Sequence, residues 1–507
     1  MTQDATRDAS LRAMTRFGLG PSGPDRTAAT GDPRGWVAGQ IGRPSPNGAP
    51  VLPARAAMRA AERMSLAARE RRLARERADA RPADALDGSM DNSMDGSMDG
   101  SMGAAPMTGM SMAGGDGASG KGKGEAKGKA KRPPNPLAEA RALAARRAMD
   151  GAARTPAPFA ERWMAHWSNH LTVRGRGPIG SMLAAPYRAE AIEPNAWGRF
   201  ADLIAATTLH PAMLEDLDNR FSIGPNSVAG RRQGRGANEN LARELLELHT
   251  LGADGGYTQG DVSALALTLT GWRLPPVHDR EGAERRGGGV VSFFARGHEP
   301  GARTLLGRRF AEDDGTGSQT RAVLAHLAAH PSTARNAGRR LAAHFAAPGP
   351  GREALAGALA ATFHATDGDL SALAATLVAH DAPWRDGPVL TTPYGQVVAW
   401  MRLLPGAVPA RFAVNAARSL GQPVHAPPSP EGWPEGTEWR SPGGLKTRLD
   451  RAHEIGLRGG NRFDPLALAH DALGDALSDE TMTALRRAAS PAQGLAILAM
   501  SPEVLLR

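Results

Sequence analysis

Along most of the chain apolar residues recur every three to four positions, and few stretches alternate in twos. That spacing marks helices with one buried stripe. Ala, Leu, Arg and Glu fill these segments and β-branched residues are sparse, so intrinsic preference also favours helix over strand. The pattern predicts short helices over 9–45 around the turn Arg16-Phe17-Gly18-Leu19-Gly20-Pro21, with Phe17 tucked into the core. Arg-rich helices follow over 56–84 and 138–152, then a Trp- and His-rich helix over Pro158–Thr172, and further helices through 186–219 and 320–404. The best strand candidate is Gly289-Val290-Val291-Ser292-Phe293-Phe294, with Arg303-Thr304-Leu305-Leu306-Gly307 as a hairpin partner. The expected fold class is therefore mainly α, a multi-helix globular core with at most a small β-hairpin near 289–310.

The periodic pattern breaks over 85–135. Its first half repeats Ser-Met-Asp in fours, through Met90, Met94, Met98 and Met102, and its second half is rich in Gly and Lys. Such a composition cannot bury enough apolar surface to offset the entropy of ordering, so disorder is expected. The domain reading is one continuous helical core, 1–84 with 136–507, interrupted by this insert. Thioethers are soft ligands that suit Cu(I), which makes Met94, Met98 and Met102 beside Asp carboxylates a candidate copper tract. The plainer reading is a repeat that binds nothing.

The densest run of ionisable and amide side chains is Asn238-Glu239-Asn240-Leu241-Ala242-Arg243-Glu244-Leu245-Leu246-Glu247-Leu248-His249. Wound at 100° per residue, Glu239, Asn240, Arg243, Glu244 and Glu247 fall within about 140° of arc. His249 lies on the apolar side, shortly before Gly252, which can end the helix. Paired carboxylates can divide acid and base roles when burial raises one pKa, and oxygen-plus-imidazole sets can hold a divalent metal. Against this stands a solvated ladder, Glu239–Arg243–Glu247 at i, i+4, i+8.

Around this helix other candidates gather. His166 and His170 stand four apart, a spacing that lets two imidazoles meet one metal, although no Glu follows the first as in zinc proteases. Met164, Trp167 and Leu171 on the same helix read as core. The basic turn Arg231-Arg232-Gln233-Gly234-Arg235-Gly236 precedes the Asn238 helix, where guanidinium forks and backbone N–H groups could hold an anion. Thr258 and Asp261 form an acidic capping box after Tyr257. The candidate catalytic residues are thus Glu239, Glu244, Glu247 and His170. The candidate ligand-binding residues are Asn169, Asn238, Asn240, Arg243, Arg235 and Tyr257, and the candidate metal ligands are His249 and His298.

Composition narrows the chemistry further. The chain has 507 residues and a net charge of +9, of which Lys121–Arg132 supplies five, so the positive balance belongs largely to one segment and no specific nucleic-acid partner is expected. No cysteine is present, which excludes disulfides, thiolate metal sites and cysteine nucleophiles. No apolar run approaches the roughly 20 residues that cross a bilayer, and the N-terminus lacks a charged-then-apolar signal region. The location expected for the sequence as written is cytoplasmic, with export alongside a signal-bearing partner as the other route.

Taken in order, these landmarks resemble the bacterial family catalogued as domain of unknown function 1800 (DUF1800). The resemblance is carried by Arg16-Phe17-Gly18, by Arg162 with Trp167-Ser168-Asn169-His170, and by Asp218-Asn219. It continues through Asn238–Gly252, Gly256-Tyr257-Thr258-Gln259, Thr270-Gly271-Trp272, Gly297-His298, Gly432-Trp433 and Trp439. Where the family usually has Asp after the histidine of Gly297-His298, this chain has Glu299. The resemblance implies a largely helical protein, often encoded beside an exported companion similar to sulfatases and alkaline phosphatases. Two functions stay open: a hydrolase-like or metal-dependent enzyme with a Glu/His/Asn site centred on 238–249, or a non-catalytic accessory partner of that sulfatase/phosphatase-like companion.

Overall fold

The computed structural model describes residues 9–44, 52–79, 136–274 and 290–507. The chain divides into two units: 1–65 with 136–507, and 66–135. Of the second unit only 66–79 is described, the latter part of the helix Ala54–Asp79. The Met-rich tract with Met94, Met98 and Met102 lies outside the described residues, as does most of the insert.

The first unit is mainly helical, as its pattern predicts. Proline defines many of the helix starts. Asp32-Pro33, Thr392-Pro393, Ser441-Pro442, Asp464-Pro465 and Ser490-Pro491 each put an oxygen-bearing side chain at the cap and Pro at the first helical position. The cap oxygen satisfies a backbone N–H three residues on, while proline has no N–H to leave orphaned. His210, His330 and His380 do the same work with a ring nitrogen, each accepting from the backbone N–H two residues later at 3.1 Å.

Two short antiparallel ladders are the sheet content of the described residues, and they pair differently from the expected hairpin. The strand β1 (Trp272–Arg273) pairs with β2 (Ser292–Phe293), while β3 (Arg303–Leu305) pairs with β4 (Arg308–Phe310). The turn Leu306-Gly307, both at positive φ, folds β3 directly onto β4 and leaves β2 to the Gly271-Trp272 segment.

Two apolar clusters hold the unit together. The larger packs Phe17, Phe159, Trp163, Trp167, Phe200, Phe345 and Trp384 with the apolar face of the Asn238 region. The smaller is built on Trp400, Ile455, Leu495 and Leu498. The helix Pro331–Phe345 packs on the next helix in the chain, Pro350–Ala365, and Gly338 marks their contact. A Cβ there would stand 2.6 Å from the Ala356 carbonyl oxygen and 3.0 Å from the Ala360 nitrogen. In an exposed helix Gly→Ala stabilises by about 1 kcal/mol, but overpacking a helix crossing costs about 1–3 kcal/mol. Gly338→Ala is therefore expected to lower stability in urea denaturation with the slope unchanged; a gain in midpoint would show that this crossing has slack.

Candidate functional site

The Asn238 region starts its helix as its residues suggest. Asn238 Oδ1 accepts from the Asn240 N–H at 2.8 Å, the helix Asn240–Glu244 follows, and it widens into a π-turn over Leu245–His249. Leu241, Ala242, Leu245, Leu246 and His249 face inward and are buried. Glu239 faces water: it takes hydrogen bonds from Ser263 at 2.7 Å, Gln259 at 2.9 Å and Arg243 at 3.2 Å. Those donors, the Ser263 hydroxyl first, hold its carboxyl below the usual carboxylate range. Glu244 is half-buried, and burial, then the neighbouring Glu247 carboxylate, pushes its carboxyl up. The same two causes, burial and then Glu247, raise the Tyr257 phenol. Glu244, Glu247 and Tyr257 thus share a half-buried patch beside Arg174, whose guanidinium is held by Asp216 at 3.0 Å.

The other side of this helix touches the denser chemistry. The helix Pro158–His170 buries Trp163, Met164 and Trp167 completely, which fixes where His166 and His170 can go. His170 Nε2 lies 3.0 Å from the carbonyl of His249. A carbonyl only accepts, so Nε2 carries the proton and Nδ1 keeps a lone pair, buried and without a partner. His166 sits with its ring centroid 6.2 Å from that of His170 and 5.2 Å from that of His344, and its Nε2 is likewise buried and unpartnered. Burial, with positive Arg340 among the further causes, lowers the pKa of His166 and His170 well below the ordinary range and that of His249 to about 3. All three rings are neutral at pH 7.

His344 completes the group from the end of Pro331–Phe345. Its Nδ1 is 2.5 Å from one oxygen of Glu435, and Arg507 donates to the other oxygen at 2.6 Å. The carboxylate therefore accepts from Nδ1–H and leaves Nε2 buried with no partner. Arg507 is itself fixed, by reciprocal 2.8 Å backbone bonds with Val389 and by Arg16 Nη2 donating to its carbonyl oxygen at 2.8 Å. Arg162 in turn donates to the Gly18 carbonyl at 2.8 Å.

These side chains line two adjacent chambers. One, of about 400 Å³, is polar and is lined by His166, His170, Arg340, Ser429, Glu431 and Glu438. The other, of about 180 Å³, is lined by His344, Tyr187, Arg188, Tyr394, Gln422 and His425. Asn169, Trp433, Pro434 and Glu435 line both. Asn169 locks this loop with two bonds, donating to the Trp433 carbonyl at 2.9 Å and accepting from the Trp433 N–H at 2.7 Å. Gly432, at φ +92°, lets the loop approach so closely that a Cβ would stand 2.5 Å from the Asn169 carbonyl oxygen.

The sequence-based candidates therefore separate. His170, Asn169 and His249 meet at or behind the cavity wall, whereas Glu239 and Arg243 form a surface network with Gln259 and Ser263. Asn240 is exposed at the helix start, and Arg235 is exposed too, its guanidinium 5.8 Å from the Phe221 ring. His298 belongs to another cluster: Nδ1 donates to the Thr270 carbonyl at 2.9 Å and the ring packs on Phe293. Its neighbour Glu299 accepts from the Asn226 backbone and side chain at 2.8 and 2.7 Å, fastening a loop. Among the described residues no three His, Asp or Glu groups stand together so as to hold a metal ion. Arg340 and His344 stand four apart on one Ala-rich helix, but nothing in the sequence joined that helix to Glu435 or Arg507, which come from a loop and from the last residue. The one hint was a charged residue between Pro434 and Gly436 in a Trp-rich loop.

A family model described as "Protein of unknown function (DUF1800)" matches residues 12–506. Neither the curated proteins nor the solved structures contain a match.

The neutral imidazoles carry a pH signature. His166, His170 and His249 have folded pKa values below their unfolded value, so only the unfolded chain takes up their protons as pH falls below about 6.5. Their stabilising effect is whole above that pH and is lost progressively below it, by about 1.4 kcal/mol per ring at pH 5.5. Unfolding free energy measured from pH 7.5 to 5 should fall, and His166→Gln should flatten the slope; equal slopes for both proteins would mean that His166 is charged in the fold.

Proposed function

The chain belongs to the DUF1800 family, whose description assigns no activity, and we propose that it is an enzyme of hydrolytic type working in the histidine-lined cavity. The observation that carries this reading is the chain of contacts Arg507–Glu435–His344, at 2.6 and 2.5 Å, behind a ring nitrogen with no other partner. A base oriented by a third group is the arrangement that nucleophilic and general-base catalysis require.

In this reading His344 Nε2 takes a proton from water as the water oxygen attacks the substrate, and the same nitrogen returns it to the leaving group. Glu435 holds the ring's tautomer and stabilises the imidazolium that forms. Arg340, in the adjoining chamber, stabilises negative charge developing on the substrate. Asn169 acts through the loop: by fixing Trp433 it sets where Glu435 stands. His170 contributes a wall and an acceptor. Glu244 and Glu247, with Tyr257, remain a second polar patch available to substrate, while a metal has weaker support, because the positive charge of Arg340 disfavours a cation beside these imidazoles.

The accessory reading has its own support. Leu445, Leu449 and Leu457, on the helix Pro442–Gly459, are 49, 52 and 62% exposed, an apolar surface of the kind partners cover. A sulfatase- or phosphatase-like companion bound there, if signal-bearing, could also carry the chain out of the cytoplasm. Among the described residues no helix is long and apolar enough to cross a membrane.

The test is turnover on a panel of chromogenic carboxylic and phosphoric esters. His344→Gln should lower kcat/KM by about 100- to 10,000-fold, the usual worth of a general base, with a smaller loss for Arg507→Ala and none for Glu239→Gln. Turnover that survives His344→Gln in a folded protein would sink the proposal. A wild type inert on the whole panel that co-purifies with one stoichiometric partner from its native host would favour the accessory reading.

A further inference from the structure

We propose that Arg340 makes the polar chamber an oxyanion subsite, which takes a carboxylate or phosphate group of the substrate. The inference rests on the cavity being the functional site and names the class of molecule that enters it. Arg340 stands one helical turn before His344 and lines the 400 Å³ chamber with His166 and His170. Its guanidinium has five N–H donors, yet among the described residues its one acceptor is the backbone carbonyl of Glu431, at 3.1 Å. Burial lowers its pKa, a mark of a cation drawn out of water without a contacting counter-ion.

The neighbouring groups explain what the chamber lacks. Arg340 acts electrostatically on His166, His170 and His249 alike, and each of those rings is held neutral. Glu435 is close enough to be felt, but its two oxygens are taken by His344 and Arg507. Glu431 and Glu438 are exposed, where water screens their repulsion of an incoming anion. No carboxylate among the described residues lies within ion-pair distance of Arg340. A planar fork in a polar, partly desolvated chamber suits two parallel bonds to a carboxylate or phosphate. His166, neutral and with a free ring nitrogen, can add a third contact.

Calorimetric titration of the full chain with inorganic phosphate and, separately, with acetate tests this without any turnover. Saturable binding of at least one anion is expected, weakened at least tenfold in Arg340→Gln and unchanged within twofold in Lys446→Gln, an exposed lysine paired with Asp450. The stronger of the two anions identifies the group. Should Arg340→Gln fail to fold, Arg340→Lys keeps the charge but loses the fork and should still weaken binding severalfold. Saturable binding that ignores both Arg340 variants, or none for either anion, would overturn the subsite. Neither result depends on His344, so this outcome is separable from that of the hydrolytic reading.

Discussion

The Glu435 carboxylate joins parts of the chain that nothing local would bring together. Its loop carries it, helix Pro331–Phe345 presents His344 to one oxygen, and Arg507 grips the other. Arg16 then anchors Arg507 by its carbonyl, with further bonds to the carbonyls of Pro383 and Gly387. Long-range contacts of this kind hold only if each partner is already fixed, and here each is: by the Asn169–Trp433 lock, by the Gly338 crossing and by the Val389–Arg507 pairing. The Arg16-Phe17-Gly18 turn and Arg162 therefore serve the cavity from beneath, through backbone carbonyls rather than by touching its contents.

Electrostatics decide what this enclosure can contain. Withdrawing several imidazoles from water around one guanidinium favours their neutral forms, since each added positive charge would be both desolvated and repelled. Neutral rings can move protons or accept hydrogen bonds near pH 7, and the unpartnered nitrogens of His166 and His170 are left for that purpose, beside that of His344. Such unpartnered buried nitrogens are uncommon because each forfeits a hydrogen bond it would make in water. Their concentration along one cavity is the reason to place function there and not on the outward carboxylates.

Much of the fold was legible in the sequence. Helical periodicity gave the mainly α architecture, and Thr258 with Asp261 formed the expected capping box. The inward placement of Met164, Trp167, Leu171 and His249 also followed from the pattern. These features depend on residues within a few positions of one another. Strand pairing did not follow, because residues of β-prone character do not name their partner: the Leu306-Gly307 turn closed β3 on β4 and freed β2 for Trp272–Arg273.

The candidate site divides along the same line. By itself the sequence determined that Asn169, His170 and the Asn238–His249 helix carry unusual polar density, since composition and helical phase are local properties. Only the tertiary structure decided that Glu239 and Arg243 form a water-facing network while His170 meets the carbonyl of His249. It alone brought in Arg340, His344, Glu435 and Arg507, which lie between 170 and 337 positions from His170 in the chain. Spacing cannot reveal such a group. The energy that assembles it comes from burial of apolar faces on distant helices, and the polar side chains go where that packing carries them.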